Sequence, residues 1–320
     1  MRALTGIQPS GTAHLGNLFG AMQPIVDLCD RYENSVCFLA NLHALTTVQD
    51  AQRLDRYTFD IAVDLLTLGI DPDKTIFFRQ SDVPEHCELT WILSTLAPMG
   101  LLQRAHSFKD KTAKGFEPSV GLFTYPVLMA CDILLYDADV VPVGKDQKQH
   151  LEITRDLAEK FNHTFGETFA LPEPQISEET AAVPGTDGQK MSKSYGNTIE
   201  IFAEEKALKK QIMGIVTDST PVDEPKQPEG NTIYQLYCLF ADEAEQSALA
   251  EKFRAGGMGY GDAKKVLFEK ANAYLAPLRE KRAALAAKPD FVEDVLSEGA
   301  RKARLIAGKK MEEVKRKVGV

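Results

Sequence analysis

Through the first half of the chain, short apolar runs alternate with longer stretches of helical periodicity. Leu4 to Ile7 is one such run, ended by the turn signal Gln8-Pro9-Ser10-Gly11. Leu15, Leu18, Phe19, Met22, Ile25, Val26 and Cys29 then recur at helical spacing as far as Tyr32. This pattern predicts strand, turn, helix. Val36 to Leu39 and Ile76-Phe77-Phe78 repeat the strand pattern. They are followed by an amphipathic helix over Ala51 to Leu68, closed by Gly69, and by a helix from about Pro84 to Leu96. Thr124-Tyr125-Pro126 predicts another helix start, with proline near the first position, where its missing N–H costs nothing. Asp139 to Val143 is a fourth strand, and a helix over Gln149 to Phe161 follows it. Strands alternating with helices predict an α/β fold with a Rossmann-like doubly wound parallel sheet. In such sheets ligands bind outside the carboxyl ends of the strands, where His14 and His43 fall.

The pattern changes in the second half. Residues 171–188 hold Pro172, Pro174, Pro184 and Gly185 and read as a long connection. From about Ala203 only helical spacing remains, broken by the polar stretch from Pro221 to Gly230. The expected organisation is a catalytic domain over 1–200 and a C-terminal all-helical domain over 201–290, with a last helix from about Phe291 to Val318 packing back on the first domain.

Composition adds bounds. With 44% hydrophobic and 26% charged residues the chain reads as globular. No stretch approaches the ~18 apolar residues of a membrane span, and MRALTGIQPSG lacks a signal-peptide core, so the expectation is a cytoplasmic protein without a membrane partner. Cys29, Cys37, Cys87, Cys131 and Cys238 include no CxxC pair, which argues against a zinc site, a cysteine-ligated cluster or a disulfide framework; no structural metal is expected. The net charge of -9 hides an asymmetry, since residues 261–320 carry 15 Lys plus Arg against 9 Asp plus Glu. A local basic surface could receive a polyanion, or it could be one solvated helix face.

Three clusters carry candidate chemistry. Gly188-Gln189-Lys190-Met191-Ser192-Lys193-Ser194-Tyr195-Gly196-Asn197 places two lysines three apart among hydroxyls and glycines. Such a segment suits a flexible clamp for a polyphosphate, or is merely a solvated basic loop. His14-Leu15-Gly16-Asn17 opens a helix, where free backbone N–H groups favour an anion; alternatively His14 bonds its own turn. Along the helix after Thr124, Tyr125, Met129, Asp132 and Tyr136 share one face, and Asp132 interrupts an apolar run. A carboxylate there is either satisfied by backbone or Tyr136, or serves as a specificity acceptor at a pocket floor. Asp146 is placed for a helix N-cap or for a ribose hydroxyl.

HxGN near the start and KMSKS before a helical domain resemble the paired signatures of the class I aminoacyl-tRNA synthetases. Gly6-Ile7-Gln8-Pro9-Ser10-Gly11, the run Met129 to Tyr136, and Val141-Pro142-Val143-Gly144-Lys145-Asp146-Gln147-Lys148-Gln149-His150 resemble the bacterial tryptophan-specific branch of that family. The resemblance implies activation of L-tryptophan with ATP, taken as its Mg²⁺ complex, then transfer to tRNA(Trp), by a homodimer. It also implies roles. Asp132 would accept the indole N–H, with Leu4, Gln8, His43, Met129 and Val143 in the pocket and Tyr125 and Gln147 on the ammonium group. Gln8, Pro9, Ser10, Gly16, Asn17, Gly144, Asp146, Gln147, Lys190, Met191, Ser192, Lys193 and Ser194 would hold ATP. His14, Lys111, Lys190 and Lys193 would be catalytic. Leu4 stands where some relatives have an aromatic. The competing expectations are a tyrosine-specific relative, a non-catalytic tRNA-binding paralogue, and a nucleotidyltransferase without tRNA.

Overall fold

The computed structural model describes residues 1–105, 117, 119–144, 148–176 and 182–320. Five short strands form its framework: β1 (Leu4–Ile7), β2 (Val36–Leu39), β3 (Ile76–Arg79), β4 (Val140–Val143) and β5 (Glu173–Ile176). β1, β2 and β3 pair in parallel, with Leu4 opposite Val36 and Val36 opposite Ile76. β4 pairs in parallel with β5, and an isolated parallel bridge from Ala3 to Val140 sets β4 beside β1. The strand order is therefore β3-β2-β1-β4-β5, and its direction of growth reverses between β1 and β4. That reversal marks the crevice where doubly wound sheets bind ligands.

β5 lies inside the stretch read from the sequence as a connection. Its prolines hid it, because Pro174 cannot donate to a ladder; a strand at the sheet edge tolerates that loss. The helix expected to start at Thr124-Tyr125-Pro126 instead runs Val120–Leu134, with Pro126 in its interior. Its N-cap is Ser119, whose Oγ accepts from the Leu122 N–H at 3.2 Å. A capping hydroxyl outweighs the proline signal. The helix Ala51–Leu68 matches its expected bounds: the Asp50 carboxylate caps it by accepting from Arg53 N, and Gly69 ends it at φ 123°.

The chain divides into two compact units. The first comprises Met1–Gly11, Ile25–Glu179 and Pro289–Val320; the second comprises Thr12–Pro24 and Thr180–Lys288. One apolar cluster fills the first unit, joining β-strand residues such as Val36 and Phe78 to Val127 and Leu134 and to Ala303, Ala307 and Met311 of the C-terminal helix Pro289–Val318. That helix lies against β3 so closely that a Cβ on Gly299 would stand 1.8 Å from the Phe77 carbonyl oxygen. Only glycine allows this approach. Val292 and Leu296 are buried, and Val295 is half-buried.

The basic residues of the last helix are largely engaged within the first unit. Lys310 Nζ bonds Asp137 at 2.8 Å and the Thr168 carbonyl at 2.9 Å, Lys315 pairs with Glu88 at 2.5 Å, and Arg304 faces Glu85 at 3.5 Å. Lys317 reaches the Glu167 carbonyl. Part of the positive charge read from the sequence is thus matched by carboxylates of the first unit.

The second unit is helical beyond the lysine segment, with helices Glu205–Met213, Thr232–Cys238, Glu243–Ala255 and Tyr260–Ala286. Phe19, Phe240 and Tyr274 stack together with centroids 5.4 to 6.1 Å apart. The polar break at 221–230 is closed by buried Lys226, whose ammonium donates to the Pro221 carbonyl at 2.8 Å and the Glu224 carbonyl at 3.2 Å. No helix among the described residues is long and apolar enough to cross a membrane.

Candidate active site

A cavity of about 500 Å³ opens at the carboxyl ends of β1 and β4. Leu4, Gln8, His43, Tyr125, Met129, Asp132 and Gly144, all singled out in the sequence, line it together. The helix Val120–Leu134 supplies three of them: residues 125, 129 and 132 are four and three apart, so they fall on one face. Pro9 and Ser10 follow β1 in the same unit and do not line the cavity. Lys111, Asp146 and Gln147 lie outside the described residues, as does the side chain of Val143.

Asp132 is 1% exposed, and an ionised carboxylate at that depth requires donors. They are present, though they are neither backbone groups nor Tyr136. Gln80 Nε2 donates to Oδ1 at 2.7 Å, His86 Nδ1 lies 2.6 Å from the same oxygen, and His43 Nε2 lies 2.7 Å from Oδ2. Tyr136 enters one step removed, with its hydroxyl 2.8 Å from His86 Nε2. Burial by itself pushes the Asp132 carboxyl up; the His43 imidazole, by charge and hydrogen bond, and then His86 outweigh it, and the net shift is downward. Burial, then the charges of Asp132 and Glu85, push the Tyr136 phenol well above its ordinary range.

Tyr125 also has a fixed setting. Its hydroxyl is hydrogen-bonded to His150 Nε2, and its ring meets His43 edge to face at 6.2 Å. The cavity therefore offers apolar walls, one ionised acceptor at its floor and polar groups nearer its mouth. Such a site suits a flat apolar group bearing one N–H, on a small molecule with a charged end.

The nucleotide-type motifs lie in the second unit and touch one another there. Leu15 N donates to the Ile199 carbonyl at 2.9 Å, and a bridge joins His14 to Glu200, so the HxGN turn is sewn to the segment following the lysines. A Cβ on Gly16 would stand 3.0 Å from the His14 ring and 3.5 Å from Met191 Cβ. His14 does bond its own turn: Asn17 N donates to His14 Nδ1 at 3.3 Å, and His14 N donates back to Asn17 Oδ1 at 3.2 Å. That bond occupies Nδ1 and places the proton of a neutral ring on Nε2. Burial, then the charge of Lys193, lower the His14 pKa to about 4. At neutral pH the side chain is thus an uncharged donor.

Hydrogen bonds cross-link the lysine segment. Asn197, 2% exposed, ties it together by accepting from Ser192 N at 2.8 Å and donating to Asp187 Oδ1 at 2.7 Å and to the Lys190 carbonyl at 3.2 Å. Gly185 N donates to the Gln189 carbonyl at 2.6 Å, and Met191 N to the Val183 carbonyl at 2.9 Å. Lys190 and Lys193 are exposed on this pinned backbone, and Ser192 and Ser194 bond each other at 2.8 Å. Among the described residues no group of three His, Cys, Asp or Glu side chains is placed to hold a metal ion.

Sequence reasoning missed Gln80, His86 and His150. His86 carried a signal. Leu89 and Leu93 stand three and seven positions after it, on the buried face of the helix Glu85–Ser94, so His86 shares their inward direction.

Residues 1–276 match the model of the family described as tRNA synthetases class I (W and Y). A tryptophan–tRNA ligase of Fusobacterium nucleatum is 56% identical over 320 residues, covering 100% of this chain and 98% of that protein. One from Rhodopirellula baltica is 53% identical, with 100% of both chains covered. Among solved structures, tryptophanyl-tRNA synthetase from Campylobacter jejuni, in complex with ADP and tryptophan, superposes with a TM-score of 0.94 at 53% identity over 100% of both chains.

Proposed function

The chain belongs to the class I tRNA synthetases for tryptophan and tyrosine and acts as a tryptophan–tRNA ligase; we propose how its residues divide that work. The observation that carries the assignment of roles is the ionised, donor-ringed Asp132 at the floor of an apolar cavity. The indole fills the cavity, its N–H donating to Asp132, while Tyr125 and Gln147 hold the ammonium group. Phenylalanine has no N–H for Asp132, and tyrosine carries its hydroxyl elsewhere. A site built around one substrate polar group rejects analogues lacking it by factors of ~10⁴ or more.

The tryptophan carboxylate is already a competent nucleophile. Its oxygen attacks the α-phosphorus of ATP, the bond to the bridging oxygen breaks, and pyrophosphate leaves with its electrons. The terminal ribose hydroxyl of the tRNA then attacks the mixed anhydride and AMP departs. Little proton transfer is needed in the first step, so its catalysis is positioning plus neutralisation of phosphate charge. Lys190, Lys193 and Lys111 supply positive charge, and the magnesium that arrives with ATP supplies more. Neutral His14 donates from Nε2, Gly16 lets the nucleotide approach the backbone, and Asp146 holds the ribose. The helices over 201–290 take the anticodon limb of the tRNA, and the enzyme works in the cytoplasm.

Pyrophosphate exchange into ATP, measured over the twenty amino acids, tests this assignment beside transfer to tRNA(Trp). Exchange with tryptophan alone, and transfer with it, is expected. Exchange with tyrosine would move the chain to the tyrosine branch, and exchange without transfer would remove the tRNA step.

The active form is a homodimer. Trp91, Val120 and Met99 are 75%, 78% and 64% exposed on three helices, of which Glu85–Ser94 and Met99–Gln103 both pack on Val120–Leu134. Large side chains left in water on neighbouring helices fit a surface covered by a second copy. The chain should sediment at twice its own mass, and Trp91→Glu with Val120→Glu should halve that mass with the circular dichroism unchanged. A wild-type chain that sediments as a monomer would refute the dimer.

A further inference from the structure

Beneath the floor of the cavity lie polar side chains that do not line it. Gln80, His86 and Tyr136 are each 0% exposed. Buried polar groups persist where they are hydrogen-bonded, and these bonds run in one direction. Ionised Asp132 only accepts, so His86 Nδ1 at 2.6 Å carries a proton. In the neutral imidazole, Nε2 then holds a lone pair, and the Tyr136 hydroxyl at 2.8 Å donates to it. Phe38 and Phe78 flank the ring with centroids 6.1 and 6.2 Å away, leaving it little room to turn.

The arrangement makes the two oxygens of Asp132 unequal. Oδ1 receives both Gln80 and His86, which occupies its two lone pairs; Oδ2 receives His43 and keeps one lone pair for a ligand. Resting on the reading that Asp132 accepts the indole N–H, we propose that His86, held in its tautomer by Tyr136, is a positioning residue that fixes which Asp132 oxygen meets the amino acid and so sets tryptophan affinity without touching it. The opposite tautomer would turn a lone pair toward a carboxylate, an arrangement that repels. A phenol so deeply buried, against an ionised neighbour, stays protonated and keeps donating.

Kinetics of tryptophan-dependent exchange with four variants test this. Tyr136→Phe keeps the shape and removes the donor to Nε2; KM for tryptophan should rise about tenfold while kcat and KM for ATP stay put. His86→Leu removes the donor to Asp132 and should raise KM a hundredfold or so. His86→Asn retains an N–H near the place of Nδ1 and has no Nε2, leaving the Tyr136 hydroxyl without its acceptor. Adding Tyr136→Phe to His86→Asn should therefore cost nothing or restore affinity. That reversal of sign is the decisive readout, because a residue needed only for packing would be lost equally in both backgrounds, and it survives even if His86→Leu fails to fold. An unchanged KM in Tyr136→Phe, a fall in kcat together with a rise in KM for ATP, or equal harm in both backgrounds would overturn the proposal. The wild-type chain serves as a separate check. If it shows no tryptophan-dependent exchange, the assigned activity itself has failed, whereas normal wild-type exchange with an unaffected Tyr136→Phe refutes the positioning role alone.

Discussion

Asp132→Asn should lower kcat/KM for tryptophan by about 10² to 10⁴, corresponding to the ~3 to 5 kcal/mol that follows when one member of a buried, hydrogen-bonded charge network is removed. The substitution preserves shape, so the loss is chemical. Three donors converge on the carboxylate, two on Oδ1 and one on Oδ2. An amide offers one oxygen to them and presents its own N–H groups to the rest, so at least one donor meets a donor. The indole N–H loses its acceptor as well. Steady-state exchange across tryptophan, phenylalanine and tyrosine would show the change, with discrimination among the three narrowing as tryptophan weakens. A loss under tenfold would rule out the specificity role. The carboxyl also bears on acid stability: its folded value lies below the ordinary carboxylate range, so its contribution is present above that range and is lost as pH falls through the folded value.

Lys193→Ala should reduce kcat for activation by about 10² to 10³, the usual cost of removing one donor aimed at developing charge, with KM for tryptophan unchanged. The separation is expected because Lys193 belongs to the second unit and every described residue lining the cavity around Asp132 belongs to the first. Single-turnover measurement of adenylate formation would reveal it, and a defect confined to tryptophan affinity would refute transition-state stabilisation. The variant has a spectroscopic companion. Lys193 is one of two influences lowering the His14 pKa to about 4, burial being the larger, so the titration of the His14 ring followed by NMR should move up in Lys193→Ala without reaching 6.5.

Much of this was legible in the sequence because it depended on local chemistry. Strand runs ended by turn residues, a helix closed at Gly69, and a carboxylate breaking an apolar helix face are all signals within a few residues of one another. The misreadings have physical causes of the same scale. Pro126 looked like a helix start because proline suits that position, yet Ser119 capped the helix seven residues earlier. β5 was concealed by prolines that an edge strand can accept. Asn197, whose side chain bonds across the lysine segment, was visible only as one more polar residue. The donors to Asp132 could not be assigned from spacing at all. His43, Gln80 and His86 lie 89, 52 and 46 positions from it, so only the fold brings them together.

The discontinuity of the first unit has a consequence for how the molecule comes into being. Its sheet is complete in sequence by residue 176, but the helix that seats Gly299 on β3 is added only after residues 180–288 of the second unit have been made. On the ribosome the second unit therefore has all its segments first, while the first unit waits, with the Phe77 face of β3 uncovered. Every molecule must pass through that half-finished stage, and a nascent chain that stalls there exposes an apolar sheet surface of the kind that chaperones bind.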